Sequence, residues 1–284
     1  DPVDWNLDRP EAVLALHNAY VAAGSQIVLA NTFGANRLKY DGQHKLADLI
    51  AAAISIARKS GAKVALDVGP TGRLLAPAGE LAFEDAYAAF AEMVRTGAAA
   101  GADLVFIETM GDTRELKAAV LAAKENCNLP VWSTVALGED GKLLTGGSVE
   151  CVATLLEGLG VDAYGLNCGL GPDRMLPYVK RLAAVARKPL IVKPNAGMPK
   201  LVDGKTVFTV GPDEFAADVA ALVDAGVEIV GGCCGTTPAH IARTVAAVRD
   251  KDPHRALPPK RTRISSGTSV VELAPHAGLV IGER

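Results

Sequence analysis

Short unbroken apolar runs recur along the chain, each ending in polar residues and glycine, with alanine-rich stretches of helical spacing between them. The runs lie at Gln26 to Gly34, Lys63 to Pro70, Ala102 to Met110, Pro130 to Leu137, Asp162 to Gly169, Pro189 to Gly197 and Glu228 to Gly235. Runs without polar alternation predict strands covered on both faces, hence a parallel sheet. The stretches between them predict helices. The first, from about Pro10 to Gly24, places Val13, Leu14, Leu16, Tyr20 and Val21 at helical spacing between a proline near the start and a glycine at the stop. Seven strands alternating with helices either close into a barrel or remain an open doubly wound sheet. No G-x-G-x-x-G follows any strand, which removes the main sign of a dinucleotide fold. The expected fold class is therefore α/β, a (β/α)8 TIM barrel. The count is one strand short and a helix comes first, so the barrel is expected to lack its first strand.

After Asp250 the texture changes to a proline-rich, charged segment, Asp252-Pro253-His254-Arg255 and Leu257-Pro258-Pro259-Lys260, which reads as a linker. Ser269 to Leu273 and Leu279 to Gly282 predict short strands without partners. The expected division is a barrel at 1–250 and, at 251–284, a linker with the start of a following domain. The first residue is Asp1 rather than methionine, so a processed product or a fragment is expected.

Composition narrows the function. The 284 residues are 49% hydrophobic, enough for a large core, and the net charge is −3 with basic residues dispersed. Neither nucleic acid nor an anionic membrane is an expected partner. No apolar run reaches the roughly 18 residues of a membrane span. Five cysteines in no paired pattern do not make a secreted disulfide framework, so a reducing, cytoplasmic location is expected.

The unusual residues stand at the carboxyl ends of the strands, where ligands collect in both parallel folds. They are Asn31, Asp67, Glu108, Cys168, Asn195, Cys233 and Cys234. Cys233 and Cys234 are adjacent, within Gly231-Gly232-Cys233-Cys234-Gly235, and Thr237-Pro238 then signals a helix start. A bridge between them is disfavoured, because neighbouring Cα atoms lie ~3.8 Å apart and disulfides need ~4.4–6.8 Å. The flanking glycines free the backbone to turn both sulfurs one way. With Cys168, which also has a glycine beside it, they describe a three-thiolate zinc site with one open position. The competing reading is small buried hydrophobes. Glu108 and Asp67 read as substrate-ammonium or base carboxylates, or as salt-bridge partners. Asn195 reads as a site amide or a turn cap, and His240 as a solvated helix residue.

Several stretches together resemble the homocysteine S-methyltransferase family, and within it the homocysteine-binding module of cobalamin-dependent methionine synthases. They are Ala30 to Asn36, Asp67 to Gly72, Glu108-Thr109-Met110, Gly165 to Gly169, Pro194 to Gly197 and Gly231 to Pro238. The resemblance implies a zinc barrel with Cys168, Cys233 and Cys234 as ligands and the homocysteine sulfur in the fourth position. Asn195 matches the residue that fills that position without substrate, and Glu108 one that contacts the substrate amino group. Asp67 and Asn31 are carried as further substrate-binding candidates. The implied reaction converts homocysteine to methionine. Methylcobalamin and methyltetrahydrofolate would be held by other modules, the adjacent cobalamin-binding and pterin-binding domains. Leu279 to Arg284 resembles the opening strand of that pterin-binding barrel. Betaine or S-methylmethionine as donor, and a non-catalytic zinc or thiol-sensing barrel, are the alternatives. The family's first-strand Asp-Gly-Ala motif, which helps bind the amino-acid part of the substrate, has no counterpart here.

Overall fold

The computed structural model describes residues 1–202 and 204–273. All seven expected strands form, and they pair in parallel. They begin with β1 (Ile27–Leu29), β2 (Lys63–Val68), β3 (Leu104–Met110), β4 (Val131–Val135), β5 (Ala163–Asn167) and β6 (Leu190–Lys193). A small antiparallel hairpin, β7 (Lys200–Val202) and β8 (Lys205–Val207), precedes β9 (Ile229–Val230), the seventh sheet strand. The helices are α1 (Trp5–Asp8), α2 (Pro10–Ala22), α3 (Leu46–Arg58), α4 (Phe83–Ala99) and α5 (Thr113–Asn126). Beyond them lie α6 (Val149–Gly158), α7 (Pro172–Ala183), α8 (Pro212–Asp224) and α9 (Pro238–Val248).

Spatial order follows chain order from β1 to β9 without reversal. A doubly wound sheet reverses its order at a switch point, and this one does not. The helices therefore coat one face, and the other curls inward as a lumen. This is a (β/α)8 barrel lacking a strand. Its main core lies between sheet and helices, with Leu66, Val105, Ile107, Leu166 and Val192 packed among residues such as Leu49, Phe90, Leu116 and Val179. A second, smaller cluster fills the lumen: Ala65, Leu104, Phe106, Ala163 and Ile191, flanked by the half-buried Ile27, Leu29, Trp132 and Ile229. Side chains alternate across a strand. Asp67 and Glu108, two residues beyond Ala65 and Phe106, and Lys193, two beyond Ile191, therefore share the lumen side.

Among the described residues β1 and β9 have no strand on their outer sides. Both are shorter than the apolar runs that encode them, because a strand persists only as far as its ladder does. Helix α2 lies across this seam. Its Tyr20 hydroxyl donates to the Thr236 carbonyl at 2.9 Å. Gly24, at φ +106°, lets the chain turn where an added Cβ would sit 3.1 Å from Val245 of α9. Leu16, expected on the apolar face, is 56% exposed, and only Val13 and His17 of α2 are buried.

The tail differs from expectation at one point. Val270–Leu273 does have a partner: as β11 it pairs antiparallel with β10 (Thr262–Ser265), through a turn in which Ser266 Oγ accepts from the Thr268 and Ser269 amides. The polar first strand, Thr-Arg-Ile-Ser, carries no apolar run to mark the hairpin. The preceding segment lies on the barrel, with the Arg255 guanidinium donating to the Lys188 carbonyl at 2.8 Å. Leu279 to Arg284 lies outside the described residues. Among those described, no helix is long and apolar enough to cross a membrane.

Candidate metal centre

Three cysteines meet at the carboxyl mouth of the sheet. Cys168 follows β5 and itself takes the left-handed region, φ 55°, with Gly169 after it at φ 70°. Non-glycine residues there are uncommon and cluster at functional sites. The freedom expected of the glycines around the pair is used at Gly235, φ +80°, where an added Cβ would lie 2.3 Å from the Phe208 ring. The turn is closed by Thr236 Oγ1 donating to the Cys233 carbonyl at 2.7 Å.

The segment after β6 splints the two cysteine turns together. The Cys168 amide donates to the Lys193 carbonyl, and the Cys233 amide to that of Pro194, at 3.1 and 2.8 Å. Asn195, 3% exposed, accepts the Cys234 amide on Oδ1 at 3.1 Å. All three Sγ atoms lie within 4.8 Å of one another. The Cys168 and Cys234 sulfurs are 3.8 Å apart. Two thiolates on one tetrahedral zinc, each at ~2.3 Å, would stand about 3.8 Å apart, so the donor set fits such an ion. Hydrogen bonds from the Cys233 and Cys234 side chains hold the Cys168 thiol well below its ordinary range, and those same contacts with Cys168 push the other two up. Cys127 and Cys151 stand apart, after α5 and within α6.

Behind the sulfurs lies a charged group in the lumen. Lys193 forms a salt bridge with Glu108 Oε2 and stands 4.7 Å from the centroid of the Phe106 ring. Asp67 and Glu108 are each 6% exposed, and Asp67 Oδ1 has no hydrogen-bond partner among the described residues. Burial pushes the Asp67 carboxyl well up, Glu108 adds to the rise and Lys193 opposes it. Asn167, fully buried, joins this group to the sulfurs. Its Nδ2 reaches Thr109 Oγ1 at 2.7 Å, Glu108 Oε2 at 3.4 Å and Cys233 Sγ at 3.9 Å, while its Oδ1 accepts from the Thr109 amide and the Thr134 hydroxyl.

Asp67, Glu108, Asn195 and the cysteines thus share one end of the lumen. The Asn31 amide instead donates to Pro2 O at 2.7 Å and Asn6 Oδ1 at 3.0 Å, holding the N-terminal segment. His240 is not a solvated helix residue. It is 6% exposed, its Nδ1 accepts the Thr237 amide, and its Nε2 meets the Val210 carbonyl at 3.0 Å. The ring thus ties α9 to the segment after β8. Asn167 and Lys193 escaped the sequence reading. Their only signal was position, one residue before Cys168 and one before Pro194-Asn195.

The family model described as homocysteine S-methyltransferase matches residues 3–248, which include all three cysteines. The chain belongs to the homocysteine S-methyltransferase family. Methionine synthase of Mycobacterium tuberculosis is 34% identical over 300 residues, covering 98% of this chain and 25% of that protein. Methionine synthase of Mycobacterium leprae is 34% identical over 261 residues, covering 86% and 22%. The chain therefore spans about a quarter of the length of these relatives. Among solved structures, the metallated form of the homocysteine methyltransferase MmuM from Escherichia coli is similar, with a TM-score of 0.74, 26% identity and 86% of each chain covered. Its apo form is similar at a TM-score of 0.70 and 25% identity, over 87% of this chain and 89% of that one. The family match runs through α2, the seam helix, to the end of α9.

Proposed function

We propose that the chain is a zinc-dependent methyltransferase module that prepares homocysteine as a thiolate nucleophile for methylation to methionine. One observation carries the reading: three sulfurs within 4.8 Å of one another, one pair at the 3.8 Å separation of a tetrahedral zinc site, stand at the lumen mouth beside buried carboxylates suited to an amino-acid ammonium. Cys168, Cys233 and Cys234 would hold the ion. When bound, zinc supplies a lowered thiol pKa, so that a substrate sulfur is held as thiolate at neutral pH, where a free thiol of pKa ~8.5 is mostly protonated. The protein supplies the rest. Asn195 fixes the Cys234 backbone, Asn167 orients Glu108 against the sulfurs, and Glu108 with Asp67 receives the substrate ammonium. Asn31 acts one step removed, by securing the N-terminal segment.

The resemblance of the sequence motifs to cobalamin-dependent methionine synthases favours methylcobalamin as donor, with methyltetrahydrofolate recharging it elsewhere in a longer protein. Residues 1–250 would then form the homocysteine barrel, and 251–284 would lead into a pterin-binding-like domain. The proposed setting is the cytoplasm. A second reading has support in the 86% coverage of the Escherichia coli homocysteine methyltransferase chain, namely a shorter enzyme using betaine or S-methylmethionine.

The test is zinc per chain by elemental analysis, with the metal's sulfur coordination followed by X-ray absorption. Near one zinc, gaining a sulfur ligand when homocysteine is added, supports the activating site. Zinc whose coordination ignores homocysteine makes the site structural, and absence of zinc from reduced, folded protein removes the reading.

A further inference from the structure

Lys193 has no part in the chemistry above, yet it brings an ammonium into the lumen beside the carboxylates assigned to the substrate's own ammonium. Its side chain is 14% exposed and that of Glu108 8%. Burying such a pair is costly, and replacing both members by apolar groups is often neutral or stabilising. The pair is therefore a weak device for stability alone. Its hydrogen-bonding capacity is also unspent. An ammonium has three donors, and the hydrogen bond that Lys193 Nζ makes among the described residues goes to Glu108, with the Phe106 ring face beside it. Across the lumen, Asp67 is buried with Oδ1 unpartnered. Spare donors on a fixed cation and spare acceptors on two carboxylates are the complement of a zwitterion.

We propose that Lys193 determines specificity by receiving the α-carboxylate of the amino-acid substrate while Glu108 and Asp67 receive its α-ammonium. The inference rests on the function proposed above and deepens it. Asn167 touches both Glu108 Oε2 and Cys233 Sγ, so the charged group lies one amide away from the sulfurs. A thiol and an amino group separated by three carbons suit that span. Inserting a zwitterion adds no net charge to the lumen and exchanges one internal pair for two intermolecular ones. A thiol carrying only an ammonium would instead compete with Lys193 for Glu108, so the site discriminates against it.

The experiment is calorimetric titration of the zinc-loaded full chain with L-homocysteine, 3-aminopropanethiol (no carboxylate) and 4-mercaptobutyrate (no ammonium). Wild type should bind homocysteine the tightest of the three. Lys193→Met should weaken homocysteine about 10- to 100-fold, the range for a lost charged hydrogen bond. The same substitution should leave 3-aminopropanethiol unchanged or tighter, because Glu108 is freed. The double variant Lys193→Met/Glu108→Gln leaves no uncompensated charge from the pair; if Lys193→Met fails to fold, loss of carboxylate preference in the double variant makes the same case. Equal loss for both aminothiols, or a preference that survives without Lys193, overturns the assignment while homocysteine binding itself stands. Wild type that binds zinc but not homocysteine overturns this inference and the proposed function together.

Discussion

The arc from β2 to β5 and the seam formed by β1 and β9 are built from the same kind of apolar run but are packed differently. In the arc nearly every strand residue is buried, from Val64 through Val68 and from Leu104 through Ile107. At the seam, Ile27, Leu29, Ile229 and Val230 are only half-buried, and the strands shrink to three and two residues. A parallel strand is stabilised by a neighbour on each side and a layer on each face. Among the described residues the seam strands lack one neighbour, and α2 lies there instead. The candidate centre bridges the two regions: Cys168 ends the arc strand β5, while Cys233 and Cys234 follow the seam strand β9. A bound metal would therefore tie the looser strand to the firmer one.

The comparison is tested most severely at the sulfurs. Cys168→Ala should take zinc from near one per chain to near none, as read by elemental analysis. Chelating zinc from the wild type should speed amide exchange around Ile229 to Gly235 far more than in β2 to β5. Uniform exchange would deny that the metal bridges two unequal regions. Next comes the core. Phe90→Ala, at a fully buried site packed on the arc, should cost about 3–5 kcal/mol. Ile229→Ala, on the half-buried seam, should cost about 1–2 kcal/mol. Equal losses in urea unfolding would make the seam as firm as the arc.

Smaller still, Tyr20→Phe removes the α2 bond to Thr236 and should cost about 0.5–1.5 kcal/mol, seen as a lower urea midpoint. The folded state raises the Asp67 pKa, so the native protein binds the proton more tightly than the unfolded chain, and stability falls as pH climbs from about 3.9 through the raised value. Asp67→Asn abolishes that decline. Its stability relative to wild type should be greater at pH 7.5 than at pH 5, even as homocysteine binding weakens. A constant difference across that range would show that burial does not perturb Asp67.

The fold was legible because its signals are local. Each apolar run from Gln26 to Gly235 carries its own strand, and Thr237-Pro238 marked the start of α9 at the residue where it begins. Cys233 and Cys234 were legible as a site because two adjacent thiols among glycines have few structural uses. Asn167 was not, since a buried asparagine shows its value only through its partners, here Glu108, Thr109, Thr134 and Cys233. His240 looked like a surface residue because the segment that covers it, ending at Val210, lies thirty residues earlier in sequence. The β10 strand was missed because its side chains are mostly charged or polar.

The sequence by itself determined the alternation of strand and helix, the parallel sheet and the end of the sheet at which chemistry would gather. These follow from residue periodicity and from the rule that parallel strands present their carboxyl ends together. Only the tertiary structure decided that Lys193 meets Glu108 across the lumen, that Asn31 turns away to the N-terminal segment, and that the cysteines after β5 and β9 converge around the end of β6. Such pairings depend on the register and curvature of the whole curled sheet. Those are set by the packing of every strand at once, and no single stretch of the chain carries them.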